Sequence, residues 1–211
     1  MNKIRMALIG GGKGSFIGPV HVMAATLDGD CELVAAALSS NPANATASGK
    51  AMGLPDERIY TDWETMIRTE QSMPVGRRPD FITIATPNYL HFRQASAALM
   101  AGFNVVCDKP LCITSEEGLE LQRLAVESGK LFCLTHNYTG YPMVKLARDL
   151  VRQNKIGAVR KVVVEYLQGW LSVDAFAGGK RSDTWRTRPE HAGIAGTMAD
   201  IGTHAFNIAE F

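Results

Sequence analysis

No Cys-x-x-Cys pair and no other metal-ligand spacing occurs in these 211 residues, whose four cysteines are Cys31, Cys107, Cys112 and Cys133. That spacing excludes the common zinc-ribbon and dithiol redox frameworks. Three of the four stand in apolar runs, where a reduced cysteine behaves as a small hydrophobe. The cysteines therefore read as reduced and structural, and no metal is expected. Nor does any run approach the ~20 apolar residues that a membrane-spanning helix needs. The basic-then-apolar start, Met1 to Gly10, superficially resembles a signal peptide. Its apolar part is too short and runs straight into glycines, so it reads as a first β-strand and a cytoplasmic location is expected. Neither sign of charge dominates: 22 Lys and Arg against 21 Asp and Glu leave a net charge of +1. That balance argues against a dedicated nucleic-acid surface. Internal repeats and low-complexity segments are missing as well. What is present, 46% hydrophobic and 20% charged residues, is an ordinary globular composition. The length suffices for one large core, or for one domain and part of another.

Up to about residue 136, short apolar runs alternate with helical patterns. Ile4 to Ile9, Leu33 to Leu38, Phe81 to Ala85, Val105 to Cys107 and Leu131 to Leu134 read as buried strands. They show little period-two alternation, as strands of a parallel sheet covered on both faces should. The helices between them carry end signals. Asn41-Pro42 fits an N-cap with proline at the first helical position, and Gly53 a stop. Thr61-Asp-Trp-Glu64 and Thr114-Ser-Glu-Glu117 have the capping-box spacing. Gly102 and Gly129 stand where left-handed C-caps belong. Strand and helix in alternation imply βαβ units and a doubly wound α/β domain. Beyond His136 the pattern changes. Tyr141 to Asn154 predicts a helix ended near Gly157, Arg160 to Trp170 a longer alternating strand, and Asp200 to His204 a helix start. A division near residues 136–140 follows, giving a first domain over 1–137 and an α+β second domain from 138 to 211.

Glycines dominate the turn after the first strand, Ile9-Gly-Gly-Gly-Lys-Gly-Ser-Phe-Ile-Gly-Pro-Val-His21. Such a turn lets the backbone approach a pyrophosphate at the next helix N-terminus. A strict GxGxxG fingerprint nevertheless fails: counted from Gly10 and Gly12, the third glycine position holds Ser15. A P-loop fails too, because Gly14 follows Lys13. A merely flexible turn is the competing reading. At the end of the second strand, Leu38-Ser-Ser-Asn41 lacks the acidic residue that would hold a ribose 2′-hydroxyl, and no arginine replaces it. Ser39, Ser40 and Asn41 suit NAD or NADP alike.

Two more loops lie at strand carboxyl ends, where open α/β sheets bind ligands. One is Ala85-Thr-Pro-Asn-Tyr-Leu-His91, the other Cys107-Asp-Lys-Pro-Leu111. Proline biases its predecessor to extended backbone, so Lys109 is expected to be held in one direction. Asp200 and His204, four apart, share a face if the segment is α-helical. Taken alone, they are equally a helix N-cap and a satisfied core histidine. Together with Gly10-Gly-Gly12 continuing to His21, Ala85-Thr-Pro-Asn88 with His91, and Asp108-Lys-Pro110, the Asp200-Ile-Gly-Thr-His204 segment resembles the Gfo/Idh/MocA oxidoreductases. Gly169-Trp170 and Trp185-Arg186 are further points of likeness. Asp108 stands where glutamate is more usual. The glycine turn carries about three additional residues, Gly14 to Phe16.

The resemblance implies a Rossmann domain followed by an α+β domain with a large, mostly antiparallel open sheet, incomplete at Phe211. It implies a hydride transfer between NAD or NADP and a secondary alcohol of a sugar, inositol or related polyol, with Lys109, Asp200 and His204 as the catalytic set. His204 is the expected general base, since an ordinary imidazole titrates near pH ~6.5. Lys109 is suited to stabilise charge on the substrate oxygen, and Asp200 to orient the substrate or tune its neighbours. Cofactor contacts are expected from Gly10, Gly12, Phe16, Ile17, Ser39, Ser40, Asn41, Thr86, Pro87, Asn88, His91, Asp108, Lys109 and Pro110. Gln168, Trp170, Trp185 and Arg186 are substrate candidates beside the catalytic three, because aromatic faces and planar donors suit polyhydroxylated rings. No nucleic-acid or membrane partner is expected, and the whole protein is expected to be a homo-oligomer, dimer or tetramer. The competing readings are a nucleotide-sensing regulator on the same fold and a dinucleotide-binding but inactive fragment.

Overall fold

Residues 3–169 and 185–211 are described in a computed structural model of the chain. It divides into two compact units, Met1–Leu134 and Thr135–Phe211. The first is built on β1 (Ile4–Gly10), β2 (Cys31–Ala37), β3 (Phe81–Ala85), β4 (Asn104–Cys107) and β5 (Phe132–Leu134). All pairs are parallel, in the order β2-β1-β3-β4-β5. One further parallel bridge joins Ala36 of β2 to Ile59, and the Tyr60 amide donates to the Ala36 carbonyl at 2.8 Å. With that bridge counted as a strand position, the sheet has the Rossmann order, its two halves growing outward from the junction of β1 and β3.

The unbroken apolar runs have a direct cause in this topology. Ala7 and Ile9 of β1 face one cluster, with Ile82, Ile84, Met66, Leu99, Phe103 and Leu121. Met6 and Leu8 face the other, with Ala36, Leu38, Ile17 and Val22. Alternate residues of one strand are thus buried on opposite faces, so both sets must be apolar. The exception is β5, read from its sequence as buried. It forms the sheet edge, with Leu131 and Cys133 exposed, because no crossover helix follows it inside the first unit.

Helices α1 (Ile17–Thr26), α2 (Pro42–Ala51), α3 (Trp63–Gln71), α4 (Asn88–Met100) and α5 (Ser115–Ser128) cover the sheet. Asn41 caps α2, its side chain accepting from the Asn44 amide. The cap of α3 is Asp62, which accepts from Thr65, not the expected Thr61. Thr114 caps α5 as expected, while Glu117 reaches back to the amide of Ile113. Glycines in left-handed conformation follow α2, α4 and α5 at Gly53, Gly102 and Gly129. A buried polar set fixes α3. Glu70 is fully buried and accepts from Arg58 Nη2 at 2.6 Å and from the Tyr60 hydroxyl at 2.7 Å.

In the second unit a short 3-10 turn (Asn137–Gly140) leads into α6 (Pro142–Arg152), and left-handed residues Asn154 and Gly157 end it. A short α7 (Pro189–Ala192), one π-turn (Met198–Gly202) and α8 (Thr203–Glu210) follow. The strand expected over Arg160–Trp170 does not form across 160–169, and Trp170 lies outside the described residues. A strand exists only through a ladder to a neighbour, and no described segment pairs with this one. Val162, Val163, Val164, Tyr166 and Leu167 are accordingly exposed. No helix among the described residues is long and apolar enough to cross a membrane.

Candidate active site

The first unit gathers its polar loops at the carboxyl ends of β1 to β4. Gly10 has φ of +79°, and a methyl group there would lie 2.5 Å from the Ala85 carbonyl oxygen. The ends of β1 and β3 can therefore approach closely only without a side chain. Gly11 and Gly18 meet backbone to backbone: a Cβ on Gly18 would come within 2.2 Å of the Gly11 oxygen. This is the close strand–helix packing that the third fingerprint glycine provides. The fingerprint that fails at Ser15 is thus completed by Gly18, on the far side of the three inserted residues. Ile17 opens α1, and Phe16 before it is 84% exposed. The glycine turn running into the start of α1 is the arrangement that suits a dinucleotide pyrophosphate, which the positive end of the helix attracts.

Around this crevice the other predicted residues fall at strand ends. Ser39, Ser40 and Asn41 follow β2, and the Asn41 amide donates to Ser39 Oγ at 3.1 Å. Thr86 and Pro87 follow β3, Thr86 donating to Gln94 at 2.6 Å, and buried Asn88 opens α4. His91 is fully buried, its ring nitrogens 2.7 Å from the Pro110 carbonyl oxygen and 2.8 Å from that of Thr86. It therefore ties the loop after β3 to the loop after β4 from behind, and its ring is not available to touch a ligand. Asp108 pairs with His21 of α1 at 2.9 Å. Half-buried Lys109 follows, and its peptide bond to Pro110 is cis. A groove of about 340 Å³ lined by Trp63, Ile67, Ala97 and Met100 lies between α3 and the last turns of α4. It does not include the strand-end loops.

The second unit holds Asp200 and His204. They do not sit on one regular α-helix: Asp200 lies in the π-turn and His204 is the second residue of α8. The Asp200 amide donates to Gly196 at 3.0 Å, so this residue is inside helical backbone and is not an N-cap. Single π-turns recur at functional sites because they re-aim side chains at the interruption. His204 is buried and set among rings. Its centroid lies 4.6 Å from Tyr138 in edge-to-face contact, 5.7 Å from His136, and 6.4 Å from Tyr166, which it faces nearly parallel. The Tyr138 and Tyr166 hydroxyls are hydrogen-bonded. That bond, then partial burial, pushes the Tyr138 phenol up to about 12. Gln168 is exposed in the same unit, and the Arg186 guanidinium lies 4.4 Å from the Trp185 ring centroid. Among the described residues no group of three or more His, Cys, Asp or Glu could hold a metal ion.

Reasoning from sequence missed Gly11, Gly18, His136, Tyr138 and Tyr166. Gly18 was within reach once the three-residue insertion was counted. His136 and Tyr138 directly follow β5, so the strand-end rule that picked out the other loops would have found them. Tyr166 carried no signal, because its neighbours in space are distant in sequence.

The model of the family described as oxidoreductases with an NAD-binding Rossmann fold, Gfo/Idh/MocA, matches residues 4–136, and a Gfo/Idh/MocA C-terminal domain matches 144–211. The uncharacterized oxidoreductase YfiI of Bacillus subtilis is 32% identical over 208 residues, covering 98% of this chain and 52% of the relative. Levoglucosan dehydrogenase of Pseudarthrobacter phenanthrenivorans is 30% identical over 220 residues, covering 100% of this chain and 51% of the relative. Among solved structures, an inositol dehydrogenase homologue from Azotobacter vinelandii, complexed with NADH and myo-inositol, superposes with a TM-score of 0.89 at 32% identity. That match covers 99% of this chain and 52% of the other. The chain spans about half the length of the curated relatives it matches. On the strength of the strand-end loops, the glycine cradle and these matches, the chain belongs to the Gfo/Idh/MocA family of oxidoreductases with an NAD-binding Rossmann fold.

Proposed function

We propose that the protein carrying this chain transfers a hydride between a nicotinamide cofactor and a secondary alcohol of a sugar, inositol or related polyol. The first unit serves as the dinucleotide domain and the second begins the substrate domain. The observation that carries the reading is His204, a buried imidazole in an aromatic cluster, next to a π-turn bearing Asp200. The relatives named for levoglucosan and inositol support a polyhydroxylated ring as the substrate class.

A bound nicotinamide would supply the acceptor for the hydride of the carbinol carbon. His204 takes the hydroxyl proton as that hydride leaves, so the alcohol becomes a carbonyl and the imidazole an imidazolium. Tyr138, 4.6 Å from His204, offers ring density to that cation; such contacts contribute about 0.5–2 kcal/mol. Lys109 donates to the substrate oxygen and stabilises its developing negative charge. Asp200 holds a neighbouring hydroxyl by accepting from it. The start of α1 at Ile17 would hold the pyrophosphate. His91 keeps the Thr86 and Pro110 loops in register behind the cofactor.

The test is reduction of NAD⁺ and NADP⁺ by the protein against a panel of inositols, anhydrosugars and aldoses. Lys109→Ala and His204→Ala should each lower kcat/KM by at least about a hundredfold, the usual size of a general acid–base contribution, while cofactor binding persists. Turnover that survives both substitutions would sink the assignment.

A further inference from the structure

The adenosine end of the cofactor crevice lacks its usual charged reader. Leu38-Ser-Ser-Asn41 offers neither a carboxylate for a free ribose 2′-hydroxyl nor an arginine for a 2′-phosphate. The fold brings a cation there from another part of the chain. Lys13 belongs to the turn after β1, yet its backbone is fastened to α2. Its amide donates to Ser48 Oγ at 2.8 Å, and its carbonyl accepts from Asn44 Nδ2 at 3.2 Å. The amide of Gly12, one residue earlier, donates to the Leu38 carbonyl at 3.1 Å. The fastening groups are themselves held, since Ser48 donates to Asn44 Oδ1 at 2.8 Å and the Asn44 amide to Asn41 Oδ1 at 3.0 Å.

These bonds hold Lys13 beside the 38–41 loop, where a dinucleotide ribose lies on this fold, while its side chain stays exposed. The two bonds to Lys13 join segments more than thirty residues apart and belong to no helix or strand ladder. From Leu38 to Ser48 there is no Asp or Glu, so that stretch brings no carboxylate to oppose a phosphate. Ser39 Oγ accepts from the Asn41 amide, which leaves its own O–H to donate.

We infer that Lys13 reads the ribose 2′ position, and that the crevice takes a 2′-phosphorylated nicotinamide dinucleotide, its 2′-phosphate held by Lys13 Nζ and the hydroxyls of Ser39 and Ser40. This rests on the dinucleotide reading of the first unit and specifies which dinucleotide it accepts. A lysine serves here as a point charge, which suits a phosphate without demanding the planar fit of arginine.

Binding of NADPH, NADH, 2′,5′-ADP and 5′-AMP, measured by calorimetry and nicotinamide fluorescence, tests the assignment without any substrate. The 2′-phosphorylated member of each pair should bind more tightly. Lys13→Ala should raise the ratio of Kd for NADPH to Kd for NADH about tenfold, as expected for a lost charge-assisted hydrogen bond. Ser39→Asp should raise the same ratio by placing a carboxylate against the phosphate. A ratio unmoved by Lys13→Ala, or 2′,5′-ADP binding no better than 5′-AMP, overturns the role of Lys13 while leaving dinucleotide binding intact. If none of the four ligands binds, the dinucleotide reading falls and this inference with it.

Discussion

Gly18 illustrates how little room the cofactor crevice allows a single residue. Its missing side chain lets α1 rest on Gly11, and a methyl group would sit 2.2 Å from the Gly11 oxygen. Backbone cannot yield as a flexible side chain can, so Gly18→Ala should cost about 1–3 kcal/mol by overpacking. It should also weaken dinucleotide binding, because α1 and its amides must shift. Thermal unfolding and NADH fluorescence read the two effects separately; an unchanged melting temperature would show that α1 does not pack as described.

Tyr138 makes a second prediction at this scale. Its phenol is pushed from 10.0 up to about 12, chiefly by the Tyr166 hydroxyl. The folded value is the higher one, so the contribution is whole below pH 10 and lost as pH rises through about 12. The stability gap between the unsubstituted chain and Tyr138→Phe should therefore be flat below pH 10 and close toward 12. Under the proposed mechanism the ring should matter more than the hydroxyl. Tyr138→Leu should lower kcat roughly 2- to 30-fold, from the loss of about 0.5–2 kcal/mol of imidazolium stabilisation, whereas Tyr138→Phe should stay close to the parent. Equal losses in both would assign the effect to the Tyr166 hydrogen bond instead.

At the level of elements, helix starts separate local pattern from local fact. Thr61-Asp-Trp-Glu64 fits a capping box, but Asp62 is the residue whose carboxylate accepts the Thr65 amide, at 2.7 Å. Asp62→Ala should cost about 1 kcal/mol and Thr61→Ala little; chemical denaturation of the pair decides the register. The same helix is anchored at its other end by Glu70. Removing that carboxylate by Glu70→Ala strands the buried Arg58 guanidinium, with an expected loss of about 3–5 kcal/mol. Replacing Arg58 and Glu70 together by apolar residues should cost much less than either single change. The Tyr60 phenol, buried and bonded to Glu70, is held far above its usual range, so this cluster stays uncharged at tyrosine throughout the working pH range.

For the molecule as a whole, the first unit was largely legible before its structure was seen. Each strand of Val, Ile and Ala lies within two residues of where it was expected, and the loops after β1, β2, β3 and β4 carry the motif residues. β5 was found too, but as an exposed edge and not a buried strand. The second unit was legible only at α6 and around His204. Its alternating segment at 160–169 has strand periodicity without a strand, because periodicity describes one chain and a ladder requires two.

The alternation of strand and helix, the glycine turn, the strand-end motifs and the family are all written in the chain before it folds. Those follow from local chemistry: apolar runs that must be buried, caps that must satisfy amides, and glycines that permit close approach. Only the folded arrangement shows that His91 ties the loop after β3 to the loop after β4 from behind and that Lys13 is fastened to α2. It also decided that Tyr138 and Tyr166 surround His204. The bonds from Lys13 to Ser48, from His91 to Pro110 and between Tyr138 and Tyr166 join segments well separated in the chain, and no local pattern records which distant segment will arrive beside them.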